Sequence, residues 1–240
     1  MVDLSKYNKE NIGKLFDYSV LPKNSDEAAI RKGCKEAVQY NCAAFYPSSP
    51  YWLPVITEEL AGSDVLPAAA IAFPFGSATA ATKGFETEEA IRLGAKSVDT
   101  CLNVGALKDG KYDVIREELR VFKEAAQGAL TKYILETCFL TDDEIRAACE
   151  LVAEAGLDYA KTASGQFEGP SMEQFLIMKE TLKGTPVKLK VAGVKFPRPQ
   201  NAYAFIMAGA DLIGTRAAPQ MIDALDQIRE IGLIPPYKPE

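Results

Sequence analysis

Two textures alternate along the chain. Short β-rich stretches, dense in Val, Ile, Leu and Ala, recur between longer segments whose apolar residues repeat at helical spacing. In order the stretches are KLFDYSVL (14–21), CAAFYP (42–47), LPAAAIAF (66–73), SVDTCLN (97–103), KYILETC (132–138), LDYAKTA (157–163), PVKLKVAG (186–193) and ADLIGT (210–215), eight in all. Among the intervening segments, SDEAAIRKGCKEAVQYN is read as a helix capped at Ser25 with an acidic first turn. TDDEIRAACELVAEAG opens on Thr141 with Glu144 three residues on, a capping box, and stops at Gly156. Strands apolar on both faces, each followed by a helix, predict a parallel sheet covered by helices. Eight such units in 240 residues fit an α/β fold of the single (β/α)8 TIM-barrel kind, with a doubly wound open sheet as the alternative. No linker-like or low-complexity tract divides the chain, so residues 1–240 are expected to form one domain.

Composition narrows the chemistry. Hydrophobic residues make up 48% and charged residues 25%, enough to bury a core. No apolar run approaches the roughly 18–20 residues of a membrane span. The N-terminal stretch MVDLSKYNKENIGKL lacks a secretory pattern, and a cytoplasmic location is the expectation. Five cysteines without CxxC spacing suggest reduced thiols rather than a disulfide framework or metal cage. A net charge of −6 and no basic run argue against nucleic-acid or anionic-membrane partners and leave small molecules. There is no histidine at all, which removes Ser-His and Cys-His nucleophile pairs and the usual zinc ligand sets. Catalysis, if present, must use Lys, Asp, Glu, Tyr, Cys or backbone groups.

In such a barrel the chemistry sits at the C-terminal ends of the strands. Asp99 lies in the fourth stretch, Lys161 near the end of the sixth and Lys190 near the end of the seventh, each among apolar neighbours. A lone lysine there can simply snorkel to water. Lysines on adjacent strands, about 4.8 Å apart, can instead meet at the barrel axis, where proximity and burial both disfavour the charged form. One of the pair is then a neutral amine, able to attack a carbonyl and form an imine, with Asp99 to move protons. No metal or other cofactor is needed.

These residues resemble a known family. LDYAKTASG, SVDTCLNVGALKDGKYD, YILETCFLTDDEI, AIAFPFGSATAATKGFETEEAI, KVAG and AGADLIGT are similar, in order and spacing, to the motifs of deoxyribose-phosphate aldolase, over about residues 14–225. The resemblance implies a TIM-barrel class I aldolase that cleaves 2-deoxyribose 5-phosphate to acetaldehyde and glyceraldehyde 3-phosphate without cofactor. It implies Lys161 as the Schiff-base lysine, Lys190 as the lysine that lowers its pKa, and Asp99 as the aspartate of the proton relay. In FDYSVL the resemblance implies Asp17 at the floor of the site and Ser19 where the family has a hydroxyl-bearing residue, and it implies Thr162, Ser164 and Gly165, at and after the lysine strand, in substrate binding. Homo-oligomers are common in the family.

The phosphate loops depart from the family pattern. Gly193 and Gly214 are kept, but Val194 stands for a second glycine, and Arg216 and Ala217 stand for two serines. A guanidinium at Arg216 can compensate with charge-assisted bonds to an anion, and Lys195 is a second candidate. An imine aldolase of altered donor or acceptor specificity, and a sugar-phosphate-binding barrel without turnover, are the alternative readings. Lys188 shares side-chain parity with Lys190 and is expected to face the axis two residues deeper, with Asp17, Asp99 or Glu136 as its partner. Ala44 stands where some members carry cysteine. Tyr237, near the C-terminus, is expected in a frayed tail rather than over the mouth.

Overall fold

A computed structural model describes residues 2–238. Its eight strands are β1 (Phe16–Val20), β2 (Ala44–Pro47), β3 (Leu66–Ile71), β4 (Ser97–Cys101), β5 (Leu130–Ile134), β6 (Tyr159–Lys161), β7 (Lys188–Ala192) and β8 (Leu212–Thr215). All pair in parallel with their sequence neighbours, and β8 returns to β1, which closes the (β/α)8 barrel and excludes the open sheet. No helix among the described residues is long and apolar enough to cross a membrane.

Side-chain alternation divides the strands into two faces with different jobs. Phe16, Phe45, Ala69, Val98, Tyr133, Ala160, Val191 and Ile213 point outward and are buried under the helices in one large apolar cluster. Each Phe, Val or Ile hidden there contributes about 1.5–3 kcal/mol. The inward set includes Asp17, Tyr46, Ser97, Asp99, Lys132, Lys161 and Lys190, most of them fully buried. The apolar core is therefore the strand–helix layer, and the barrel axis is polar.

The helix Asp142–Ala155 begins as read, with Thr141 and Glu144 each bonding the other's backbone, and ends on Gly156 at φ +65. The helix Glu27–Gln39 is capped by Asp26 instead of Ser25: the Asp26 carboxylate accepts from Ala29 N, while the Ser25 hydroxyl donates to Pro22 O. A carboxylate also complements the helix dipole there, which favours it over the hydroxyl one position earlier. All five cysteines are free.

The C-terminal segment is docked, not frayed. Lys238 N donates to Ser5 O at 2.8 Å, Asn8 Nδ2 to the Tyr237 hydroxyl at 3.4 Å, and the Arg229 guanidinium lies 5.5 Å from the Tyr237 ring. Ser5 and Asn8 precede β1, so Tyr237 sits at the N-terminal end of the barrel, away from the mouth.

Candidate active site

The parallel register sets Lys161 beside Lys190 and Asp99 beside Lys132. One oxygen of Asp99, Oδ2, accepts from both Lys161 Nζ at 2.8 Å and Lys190 Nζ at 2.9 Å. Lys190 has a second anion, Asp17, with Oδ2 2.7 Å away. That contact is an ion pair rather than an aligned hydrogen bond, since neither Asp17 oxygen has a directed hydrogen-bond partner among the described residues.

This unequal sharing separates the two lysines. Burial, with the neighbouring Lys190 charge, pulls the Lys161 ammonium below the ordinary lysine value despite Asp99. Burial acts on Lys190 as well, but Asp17 and Asp99 together overcome it and hold that ammonium above the ordinary value. Burial would raise the Asp99 carboxyl, yet Lys161, Lys190 and Lys132 keep it well below the usual carboxylate range. Of the two lysines, Lys161 gives up its proton first. At 6% exposure it reaches the cavity, whereas Asp99 is sealed.

Two residues of this cluster escape the sequence reading. Lys132, fully buried, donates to the Tyr46 hydroxyl at 2.7 Å and to Ser97 Oγ, and lies 3.5 Å from Asp17 and 3.7 Å from Asp99. Tyr46 donates to Asp99 Oδ1 at 2.6 Å. The signal for Lys132 was available: in LTKYI it is a charge inside an apolar strand, as Lys161 is in LDYAK. The strand runs from Leu130, two residues before the stretch KYILETC, so Lys132 lies at its middle and not at its start.

The opposite correction applies to Lys188. It is the first residue of β7 and exposed, with its ammonium 5.8 Å from the Tyr159 ring centre, so it needs no buried anion. Its supposed partners are engaged elsewhere, Glu136 accepting from Ser164 N at 3.1 and 3.2 Å.

A cavity of about 460 Å³ opens above Lys161 and Lys190. Asp17, Ser19, Ser164, Gly165, Gly193, Gly214 and Arg216 line it, as do Lys23, Lys195 and Arg198. Thr162 does not. Its hydroxyl donates to Ala192 O and accepts from Ala192 N, both at 3.0 Å, tying β6 to β7 inside the wall. Alternation explains this, because Thr162 follows an inward-facing lysine. Gly214 is also less a ligand cradle than a clearance: a Cβ there would meet Ala192 Cβ at 2.9 Å and Lys190 Cε at 3.0 Å. Gly193, at φ +79, lets the loops after β6 and β7 touch, a Cβ there meeting Gly165 N at 3.0 Å.

Comparison with known proteins gives the family of the chain. The family model for DeoC/LacD family aldolase matches residues 14–199. The deoxyribose-phosphate aldolase of Bacillus cytotoxicus is 42% identical over 210 residues, covering 87% of this chain and 93% of the relative. That of Clostridium novyi is 39% identical over 215 residues, covering 89% and 96%. Among solved structures, QR15, an aldolase, superposes with a TM-score of 0.85 at 29% identity, covering 92% of this chain and 99% of that one. The tetrameric deoxyribose phosphate aldolase of Aeropyrum pernix shares the fold, with a TM-score of 0.83 at 22% identity and coverage of 94% and 95%. With an inward lysine cluster at the mouth of a closed barrel, and a family match over most of its length, this chain belongs to the DeoC/LacD family of aldolases, which are carbon–carbon lyases.

Proposed function

We propose that the chain cleaves 2-deoxyribose 5-phosphate to acetaldehyde and glyceraldehyde 3-phosphate through an imine on Lys161. The neutral Lys161 amine adds to the aldehyde carbon of the open-chain sugar, and loss of water from the carbinolamine leaves a protonated imine. A base removes the proton of the C3 hydroxyl, the C2–C3 bond breaks, and its electron pair moves into the imine to give an enamine as glyceraldehyde 3-phosphate departs. Protonation of the enamine carbon and hydrolysis release acetaldehyde and restore the amine. Asp99, with Lys190 held as a cation beside it, exchanges the protons. The imine is the electron sink, so the scheme calls for no cofactor.

The observation that carries this reading is the shared Asp99 oxygen, with Lys190 doubly paired and Lys161 singly paired. Support for an anionic substrate comes from the rim: Lys23, Lys195, Arg198 and Arg216 border the cavity, and Asp17, already engaged with Lys190, is the one carboxylate that lines it among the described residues. In a chain of net charge −6, that is a local reversal of sign which draws anions to the mouth. Arg216 takes over from the two missing hydroxyls by bidentate bonding to the phosphate.

Steady-state cleavage of 2-deoxyribose 5-phosphate and of unphosphorylated 2-deoxyribose tests the assignment. The phosphate ester is expected to be strongly preferred, and Arg216→Ser to raise its KM about tenfold while kcat and the free sugar are little affected. Equal processing of the two sugars would move the enzyme to a different acceptor class while leaving the imine chemistry in place.

A further inference from the structure

Tyr46 takes no step in the scheme above, yet it meets Asp99 and all three lysines of the axis. Its ring centre lies 4.3 Å from Lys190 Nζ, 5.3 Å from Lys132 Nζ and 5.6 Å from Lys161 Nζ. Its hydroxyl is 2.6 Å from Asp99 Oδ1, 2.7 Å from Lys132 Nζ and 2.9 Å from Ser97 Oγ. The direction of these bonds follows from chemistry. A lysine nitrogen that donates needs an acceptor, so the Tyr46 oxygen receives from Lys132, and the phenolic proton goes to the carboxylate, which can only accept.

Asp99 therefore has its two oxygens divided. Oδ1 is taken by Tyr46, and Oδ2 is left for both Lys161 and Lys190. We propose that Tyr46 is a positioning residue which pins Asp99 in this orientation, so that Lys161 must share a single oxygen with Lys190 and is left the poorer-paired of the two lysines. The inference rests on the reading of Lys161 as the imine-forming amine. Freed from Tyr46, Asp99 can turn to offer one oxygen to each lysine. Lys161 then gains a full partner and holds its proton more tightly.

The other groups around this pair do not supply the same constraint. Asp17 on β1 pairs with Lys190, and Lys132 on β5 lies 3.7 Å from Oδ1, the oxygen Tyr46 already holds. Cys101 on β4 carries a thiol that burial pushes up to about 12, and it adds no anion near neutrality. Glu136, after β5, faces Ser164 N.

Tyr46→Phe keeps the ring beneath Lys190 and removes only the hydroxyl. The experiment compares its pH profile of kcat/KM, and the pH dependence of borohydride trapping of acetaldehyde on Lys161, with those of the parent enzyme. The acidic limb of both is expected to move up by about 0.5–1 pH unit, with turnover below the limb reduced about three- to tenfold and KM little changed. Lys132→Met, which removes the donor that orients the phenol, is expected to move the limb the same way, and it serves if Tyr46→Phe folds poorly by thermal melting. A folded variant whose limb stays in place overturns the proposal, even if its turnover falls, since lost rate at an unmoved limb marks a merely structural role. Absence of an adduct in the parent enzyme would instead overturn the imine reading itself.

Discussion

Two clusters of this molecule bury lysines against carboxylates, and they behave differently. Between the helices Ala80–Arg92 and Tyr112–Ala125, Lys83 meets Glu118 at 2.5 Å, with Lys83 also donating to Cys101 O at 2.6 Å and Tyr133 to Glu118 at 2.7 Å. One cation faces one anion, each is otherwise satisfied, and none of these side chains lines the cavity. On the barrel axis three lysines face two aspartates, and the cluster opens at one end through Lys161. Burial lowers Lys83 and Lys161 alike. A buried charge is thus not enough to make a site. What separates the two is an excess of cations, which leaves Lys161 with a shared carboxylate oxygen and Lys132 with no close one, and an opening that reaches Lys161 but not the fully buried Lys132.

Breaking the sealed pair should give the largest effect, on stability. Lys83→Met leaves Glu118 buried without its cation and is expected to cost about 3–5 kcal/mol in denaturant unfolding, while kcat of the folded protein is preserved. Lost turnover at normal stability would erase the distinction drawn between the two clusters. Next comes Lys190→Leu. Removing a cation beside Lys161 takes away a repulsion that disfavours its ammonium, so the Lys161 pKa rises and the acidic limb of the rate profile moves to higher pH. At neutral pH turnover is expected to fall about 10- to 100-fold, with part recovered in alkaline buffer. A profile that drops without moving would contradict the role given to Lys190. Lys188→Met should give the smallest effect, less than about twofold in kcat, because this lysine is exposed at the far end of the same strand.

The sequence carried the barrel well and the lysines unevenly. All eight strands and their order were legible, because burial on both faces writes long apolar stretches between helical repeats. Strand ends were less legible, and that decided two lysines. β5 begins two residues earlier than read, which carries Lys132 inside, and β7 begins two residues later, which puts Lys188 at its exposed first position. Tyr46 was hidden for another reason: in AFYP an aromatic residue reads as core, and its hydroxyl has meaning only once Asp99 and Lys132 are folded against it. Thr162 failed as a cavity residue by parity alone.

We propose Lys161, the one of the three axis lysines that burial lowers below the ordinary value and that also reaches the cavity, as the amine that attacks the carbonyl. Borohydride reduction with acetaldehyde over a range of pH, followed by peptide mapping of the adduct, tests it directly. One ethyl adduct is expected, on Lys161, forming well below the pH at which an ordinary lysine of pKa 10.5 would react. An adduct on Lys190 or Lys132, or none on any lysine, would contradict it.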